Sequence, residues 1–380
     1  MLPFANIDFY LLFALLVALL YGLKALLSGR VSLVSVLIGI SLFYAVAYFP
    51  KPWQILLFTT YQCLFTWLLL FRWKRLHKLL GSLLLALPMV LVKLDWNVDV
   101  IGFAGISYIT FRCIQVYLDG DLLRDKFRFA DFIAFLLFTP SLLAGPIDRY
   151  ERFKGDMDQG WSRLNGGALL SGWEFMVLGL LHKFVLAELV DRYWLSECEG
   201  CTEAWPMLKD MYGYTAYLYF DFAGYSLMAI GLGRMMGVEL PKNFDKPWLT
   251  QNAPEFWKRW HISLGDWLRD YFFRPIYKSL SGVQRLRTWP LLRQNIALFS
   301  TFLLMGCWNG LEAHYIISGS LFGLYSVVYN SYQHQRKKLG WDIWKGVHPT
   351  VVKVLSIAIM IHLAVFALYI FSGRFPYIHG

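Results

Sequence analysis

Charge is scarce in this sequence. Of its 380 residues only 16% are Asp, Glu, Lys or Arg, against about a quarter in a soluble domain. Together with 57% hydrophobic and 18% aromatic content and long apolar runs, that scarcity excludes a soluble globular protein. The class is an all-α polytopic membrane protein, a helix bundle in a lipid membrane. The net charge is +10, and nucleic-acid binding is the poor reading of it because no basic block lies outside the hydrophobic segments. It fits Lys and Arg in cytoplasmic loops, and docking of an acidic cytosolic partner. Catalytic signatures are equally sparse. There is no GxSxG elbow for a serine hydrolase and no P-loop, and the absence of HxxxH and HExxH argues against a metal site. No internal repeat suggests a transporter with related halves. Of five cysteines, Cys63, Cys113 and Cys307 sit in apolar context. Cys198 and Cys201 form CEGC in an acidic loop without a second ligand pair, which reads as two free thiols or a strained vicinal disulfide.

What is present is a succession of hydrophobic runs. Residues 7–27, 31–49, 53–71 and 79–94 are each near the ~20 residues that a spanning helix needs. The first has no basic residue before it and reads as a retained span. The linker RWKRLHK (72–78) is basic, whereas Asp95 and Asp99 follow the fourth run. The N-terminus is therefore expected outside and RWKRLHK in the cytoplasm. Residues 102–118 carry Ser107, Thr110, Arg112 and Gln115, and 131–146 is broken by Pro140, Gly145 and Pro146. Interrupted segments of this kind need shelter inside protein or beside a water-filled cavity, so one of them is expected to be re-entrant. Further runs at 168–190, 211–232, 292–307, 315–329 and 351–371 bring the expected total to about ten to twelve spans. No soluble-looking segment is long enough to fold alone. Residues 1–380 therefore read as one integral membrane domain, with N-terminal spans (1–100) before a core (101–380).

The chemistry is expected around residues 255–273, EFWKRWHISLGDWLRDYFF. Phe256, Trp260, Leu264, Trp267 and Tyr271 recur at steps of three and four, the stripe of one amphipathic helix. Glu255, Arg259, Asp266, Arg269 and Asp270 occupy the other face, with Glu255 and Arg259 spaced for an i,i+4 pair. His261 stands at the border. His314 begins a hydrophobic run after the Gly-rich break GCWNGLEA. Imidazoles titrate near 6.5, which suits taking a proton from a hydroxyl at neutral pH. The other reading of His314 is a histidine satisfied by a helix carbonyl. The remaining six histidines fall in basic loops, at the terminus or in apolar packing.

His261 in RWHISL, with His314 following 53 residues later after a GxWxG turn, resembles the membrane-bound O-acyltransferase family. GISYITFR (105–112), AGPIDRYERF (144–153), YFDFAGYSLMAIG (219–231), PKNFDKPW (241–248) and FALYIFSG (366–373) resemble its D-alanyl-transfer branch. The likeness runs from about residue 100 to the end. It implies a helix bundle around a central catalytic tunnel, in the cell membrane of a bacterium. The implied reaction moves D-alanine from a thioester to a hydroxyl of teichoic acid or a related envelope polymer. It implies no cofactor bound by the chain itself, because the phosphopantetheine arm of a small acidic acyl carrier protein (DltC type) delivers the acyl group from the cytoplasm. A membrane-anchored DltD-type partner would act on the outer side. By the resemblance His314 is the catalytic histidine and His261 the second, architectural or donor-positioning. Trp308, Asn309, Glu255, Asp266 and Asp221 are the expected tunnel and support residues. Asn309 stands where the family commonly has a histidine, and an asparagine cannot titrate.

Carrier docking is expected on a basic and apolar cytoplasmic segment, with Lys242, Lys246, Lys258 and Arg259 supplying charge, and Val238, Leu240, Phe244 and Trp248 apolar anchors. The segment RDYFFRPIYKSL lacks the PLGGN expected of an alginate-type polysaccharide O-acetyltransferase, the alternative within the family. Outside it, broken helices and buried charges would suit a lipid or acyl transporter or flippase.

Overall fold

The structure, a computed structural model, describes residues 7–94, 102–103, 105–143, 145–195 and 202–378. Cys198, Cys201, Asp95, Asp99 and His379 lie outside these residues. Helices make up the regular structure among the described residues, as the apolar periodicity requires. In order they are α1 (Ile7–Leu27), α2 (Leu33–Tyr48), α3 (Pro52–Phe71), α4 (Lys78–Lys93), α5 (Ile106–Leu118), α6 (Phe129–Leu137), α7 (Tyr150–Gln159) and α8 (Gly166–Leu180). Then come α9 (Ala204–Met235), α10 (Ala253–Trp257), α11 (Ile262–Leu268), α12 (Arg274–Gly282), α13 (Pro290–Asn309), α14 (Ala313–Leu339) and α15 (Pro349–Phe371). Wider π-type turns carry α8 on to Leu195. Pro52, Pro290 and Pro349 open their helices, at positions where the missing N–H costs nothing. Among the described residues three helices are long and apolar enough to cross a membrane, Pro52–Phe71, Gly166–Leu195 and Pro349–Phe371.

The chain divides into two compact units, Met1–Gly179 with Tyr225–Pro241, and Leu180–Gly224 with Lys242–Gly380. In the first unit α5 packs on α3 and α4, and α6 on α2. Phe9, Phe13, Tyr44 and Tyr48 form one aromatic cluster. The break expected near Pro140 is present, since α6 ends at Leu137. Its open carbonyls are met by Arg112, a wholly buried guanidinium that donates to Phe135 O (2.6 Å), Leu136 O (2.8 Å), Ser141 O (2.8 Å) and Ser141 Oγ (2.7 Å). An interrupted backbone can stay buried because a side chain supplies the missing hydrogen bonds.

In the second unit α13 and α14 form a tight hairpin and α14 packs on α15. Gly306 and Gly319 allow the close approach. A Cβ on Gly319 would lie 2.6 Å from Phe302 O and 3.0 Å from the Cα of Gly306. Small residues at such crossings let helix backbones touch. The short α10 packs on α14 and α15, placing Phe256 and Trp257 against Phe322 (ring centroids 5.6 and 4.9 Å apart).

Candidate active site

The amphipathic segment departs from the single helix that its periodicity predicts. The apolar stripe is there, with Phe256, Trp260, Leu264 and Trp267 buried, but the helix breaks at His261, which is left-handed (φ 46°, ψ 51°). The cause is a second segment that captures the backbone. Asp245 N–H donates to Arg259 O (2.9 Å), and Ile262 N–H to Asn243 O (3.0 Å). The side chain of Asn243 accepts from Ser263 Oγ (2.6 Å) and Ser263 N–H (3.3 Å). These bonds replace the intrahelical ones that the turn gives up, and α11 starts afresh after His261.

The turn drives the His261 ring inward. It is 7% exposed, edge-on to Phe222 at 4.7 Å, with the Trp308 ring 6.4 Å away. Burial pushes its pKa down from 6.5 to about 3, because desolvation disfavours the charged imidazole. Its Nε2 is buried without a hydrogen-bond partner among the described residues. A neutral ring with an open nitrogen can offer or accept one hydrogen bond to something that enters beside it.

His314 lies in the first turn of α14, partly exposed, with its ring against Tyr315 (4.0 Å) and beside Gly373. Three other histidines are committed to the backbone. His77 and His348 accept from the N–H groups of Leu79 and Thr350 (both 3.3 Å), and His362 Nδ1 bonds Ala358 O (2.8 Å). No hydrogen bond of this kind is seen for His314 among the described residues. The break before it places Trp308 at the end of α13 and His314 at the start of α14, on the two sides of one turn. Asn309 turns back and donates to Met305 O (2.9 Å).

The other expected support residues serve locally. Glu255 accepts from Arg259 (3.1 Å) and from Gln251 N–H (3.0 Å). Asp266 pairs with Arg269 on its own helix, and Asp221 pairs with Lys183 while its neighbour Phe222 meets His261. Of the docking residues, Lys242, Lys246 and Lys258 are exposed. Phe244 packs on Phe222 and Trp260 (5.1 Å each) and is only partly exposed. Val238 is a correction. Expected as an apolar anchor on the surface, it is fully buried (0% exposed), with its N–H on Gly233 O (2.8 Å) in the turn that closes α9, and Leu240, expected beside it, is buried as well. Trp248 and Leu249, 46% and 45% exposed, are the open apolar side chains beside Lys246. Sequence reasoning missed Asn243, whose partners lie in a segment that local periodicity does not connect to it.

The family model for membrane-bound O-acyltransferases matches residues 53–372, and the chain belongs to that family. It is an acyltransferase held in a membrane. Among its relatives is the teichoic acid D-alanyltransferase of Bacillus subtilis (strain 168), 35% identical over 289 residues, which cover 74% of this chain and 71% of that protein. The teichoic acid D-alanyltransferase of Streptococcus thermophilus is 33% identical over 314 residues, 77% of this chain and 75% of that protein. "Probable alginate O-acetylase AlgI" of Pseudomonas aeruginosa is 39% identical over 232 residues, 59% of this chain but 42% of that protein.

Proposed function

We propose that this acyltransferase moves D-alanine from a carrier-protein thioester onto a hydroxyl of teichoic acid or a related envelope polymer, in the plasma membrane of a bacterium. The observation that carries this reading is the likeness to two teichoic acid D-alanyltransferases over about three quarters of both chains. His314 is the general base. Its imidazole takes the proton of the acceptor hydroxyl as that oxygen attacks the thioester carbonyl. The tetrahedral intermediate carries an oxyanion, and backbone N–H groups at a helix start such as that of α14 are donors of the type that stabilises it. Collapse expels the thiolate, which takes the proton back from the imidazolium. The products are an ester and a free thiol, and His314 ends as it began. His261 stays neutral and positions the donor through its open Nε2. A phosphopantetheine arm on a small acidic carrier would bring the donor from the cytoplasm, past Lys242, Lys246 and Lys258. An outer-side membrane-anchored partner would pass the acyl group on.

A polysaccharide O-acetyltransferase is the second reading, favoured by the 39% identity to the alginate O-acetylase over the shared region. Proteoliposomes holding the purified protein separate the two. D-alanyl-loaded and acetyl-loaded carriers are supplied in turn, and thioester loss and ester formation on a hydroxylated acceptor are measured. The D-alanyl donor is expected to be consumed with ester formation. Acetyl transfer alone would support the second reading, and lipid translocation without thioester loss would identify a flippase.

A further inference from the structure

Beyond the two histidines, the structure carries a buried ion pair that the proposed reaction has not used. Arg374 grips Asp210 through Nε (3.2 and 3.0 Å to the two carboxylate oxygens) and Nη2 (2.9 Å to Oδ1). The side chains are 18% and 1% exposed. Arg374 follows directly on the turn that ends α15. In that turn Ser372 Oγ donates to Tyr369 O (2.5 Å) and accepts from Arg374 N–H (3.0 Å). The Tyr369 hydroxyl donates to Arg374 O (3.3 Å). Phe375 packs against the core of Met211, Val365 and Tyr369. Hydrogen bonds, ion pair and apolar contact all hold the same few residues.

What they hold in place is Gly373, which lies beside His314. Gly373 has φ +74°, and a Cβ there would lie 3.6 Å from Cε1 of His314 and 3.7 Å from both Nδ1 and Nε2. Near-equal distances to three ring atoms put that point over the face of the imidazole, not at its edge. Tyr315 takes another side of the ring, at 4.0 Å between centroids. Buried ion pairs are weak sources of net stability, since well-packed apolar residues often replace them without loss. Their attested use is to fix one geometry among several.

We infer that Arg374 and Asp210 are positioning residues for His314, holding the Ser372–Gly373 turn over its ring so that the imidazole keeps one orientation toward the acceptor hydroxyl. This rests on His314 being the base of the proposed reaction. Arg374→Lys keeps the charge but loses the planar fork, and Asp210→Asn keeps the shape. In both, kcat is expected to fall about 10–100-fold, the size of an ångström-scale misplacement, with the donor KM unchanged.

A second measurement does not depend on transfer. Diethylpyrocarbonate modifies imidazoles, and mass spectrometry of the detergent-solubilised full chain follows His314 against the exposed His334. In both variants His314 is expected to react several-fold faster, with His334 unchanged. Wild-type reactivity at His314 together with wild-type kcat would overturn the inference. So would a parallel rise at His334, which marks general loosening, or a rise in KM that accounts for the whole loss. His314→Ala separates this idea from the one beneath it. Full transfer by that variant removes the catalytic reading itself. Loss of transfer there, with unchanged His314 reactivity in Arg374→Lys, removes the clamp alone.

Discussion

His261 and His314 differ in surroundings, and that difference supports the separate roles proposed for them. His261 is enclosed by Phe222, Trp308 and its own turn, and burial, which pushes its pKa down to about 3, keeps it uncharged around neutral pH. His261→Asn should therefore lower transfer in part and leave the shape of its pH profile unchanged, measured as initial rates from pH 5 to 9. The same burial has a consequence for stability. A pKa depressed from 6.5 means that the unfolded chain takes up a proton that the folded one refuses. Stability from His261 is then fully present above about pH 6.5 and is lost as the pH falls toward 3. Thermal unfolding in detergent should weaken less between pH 7 and pH 4 for His261→Asn than for the wild type, and an equal or larger loss in the variant would contradict the assignment. Both histidines were legible in the sequence, because RWHISL and the Gly-rich break before His314 are local patterns. Arg374 and Asp210 were not, since 164 residues separate them and only folding brings them together.

At the scale of elements, two devices set the site. The α13–α14 hairpin carries Trp308 just before its turn and His314 just past it, and Gly306 and Gly319 let its two backbones approach closely. Gly319→Leu must force the two backbones apart, at a cost of about 1–3 kcal/mol. A lower melting temperature with reduced transfer is the expected outcome, and an unchanged melting temperature would mean that the helices are not held at this distance. The second device is Asn243, which bridges Ser263 and Ile262 across the break at His261. Asn243→Ala leaves the Ser263 hydroxyl short of its acceptor and should cost about 1–3 kcal/mol. Its transfer should resemble that of His261→Asn. The helical periodicity of 255–273 was read correctly as a buried stripe, but not its interruption. A stripe reports which side chains are buried, and a turn made by a distant asparagine leaves the stripe intact. The stop of α6 was legible, because Pro140 forces it, whereas the guanidinium that makes it tolerable was not.

At the scale of the whole molecule, scarce charge and long apolar runs were enough to state an all-helical membrane protein, and spaced motifs were enough to state its family. Burial of single side chains was beyond their reach, as Val238 illustrates. It lies in a basic, Gly- and Pro-containing stretch that reads as a surface, yet the turn after α9 folds it inward. The donor side should depend instead on Lys242, Lys246 and the exposed Trp248. Reversing both lysines should slow carrier association and flatten its dependence on salt. Trp248→Ala should shorten the lifetime of the complex. Unchanged kinetics in both would move docking elsewhere, with Arg336–Lys338 the next surface to test. The central claim is acyl transfer from a carrier thioester through His314, and a single-turnover experiment tests it most directly. Wild-type protein and His314→Gln are each reconstituted, mixed with D-alanyl-loaded carrier and a hydroxylated acceptor, and followed for ester formation. The account predicts a loss of about 10²–10⁴-fold in the variant, the range for removing a general base, with carrier binding retained. Ester formation by His314→Gln at the wild-type rate would contradict it.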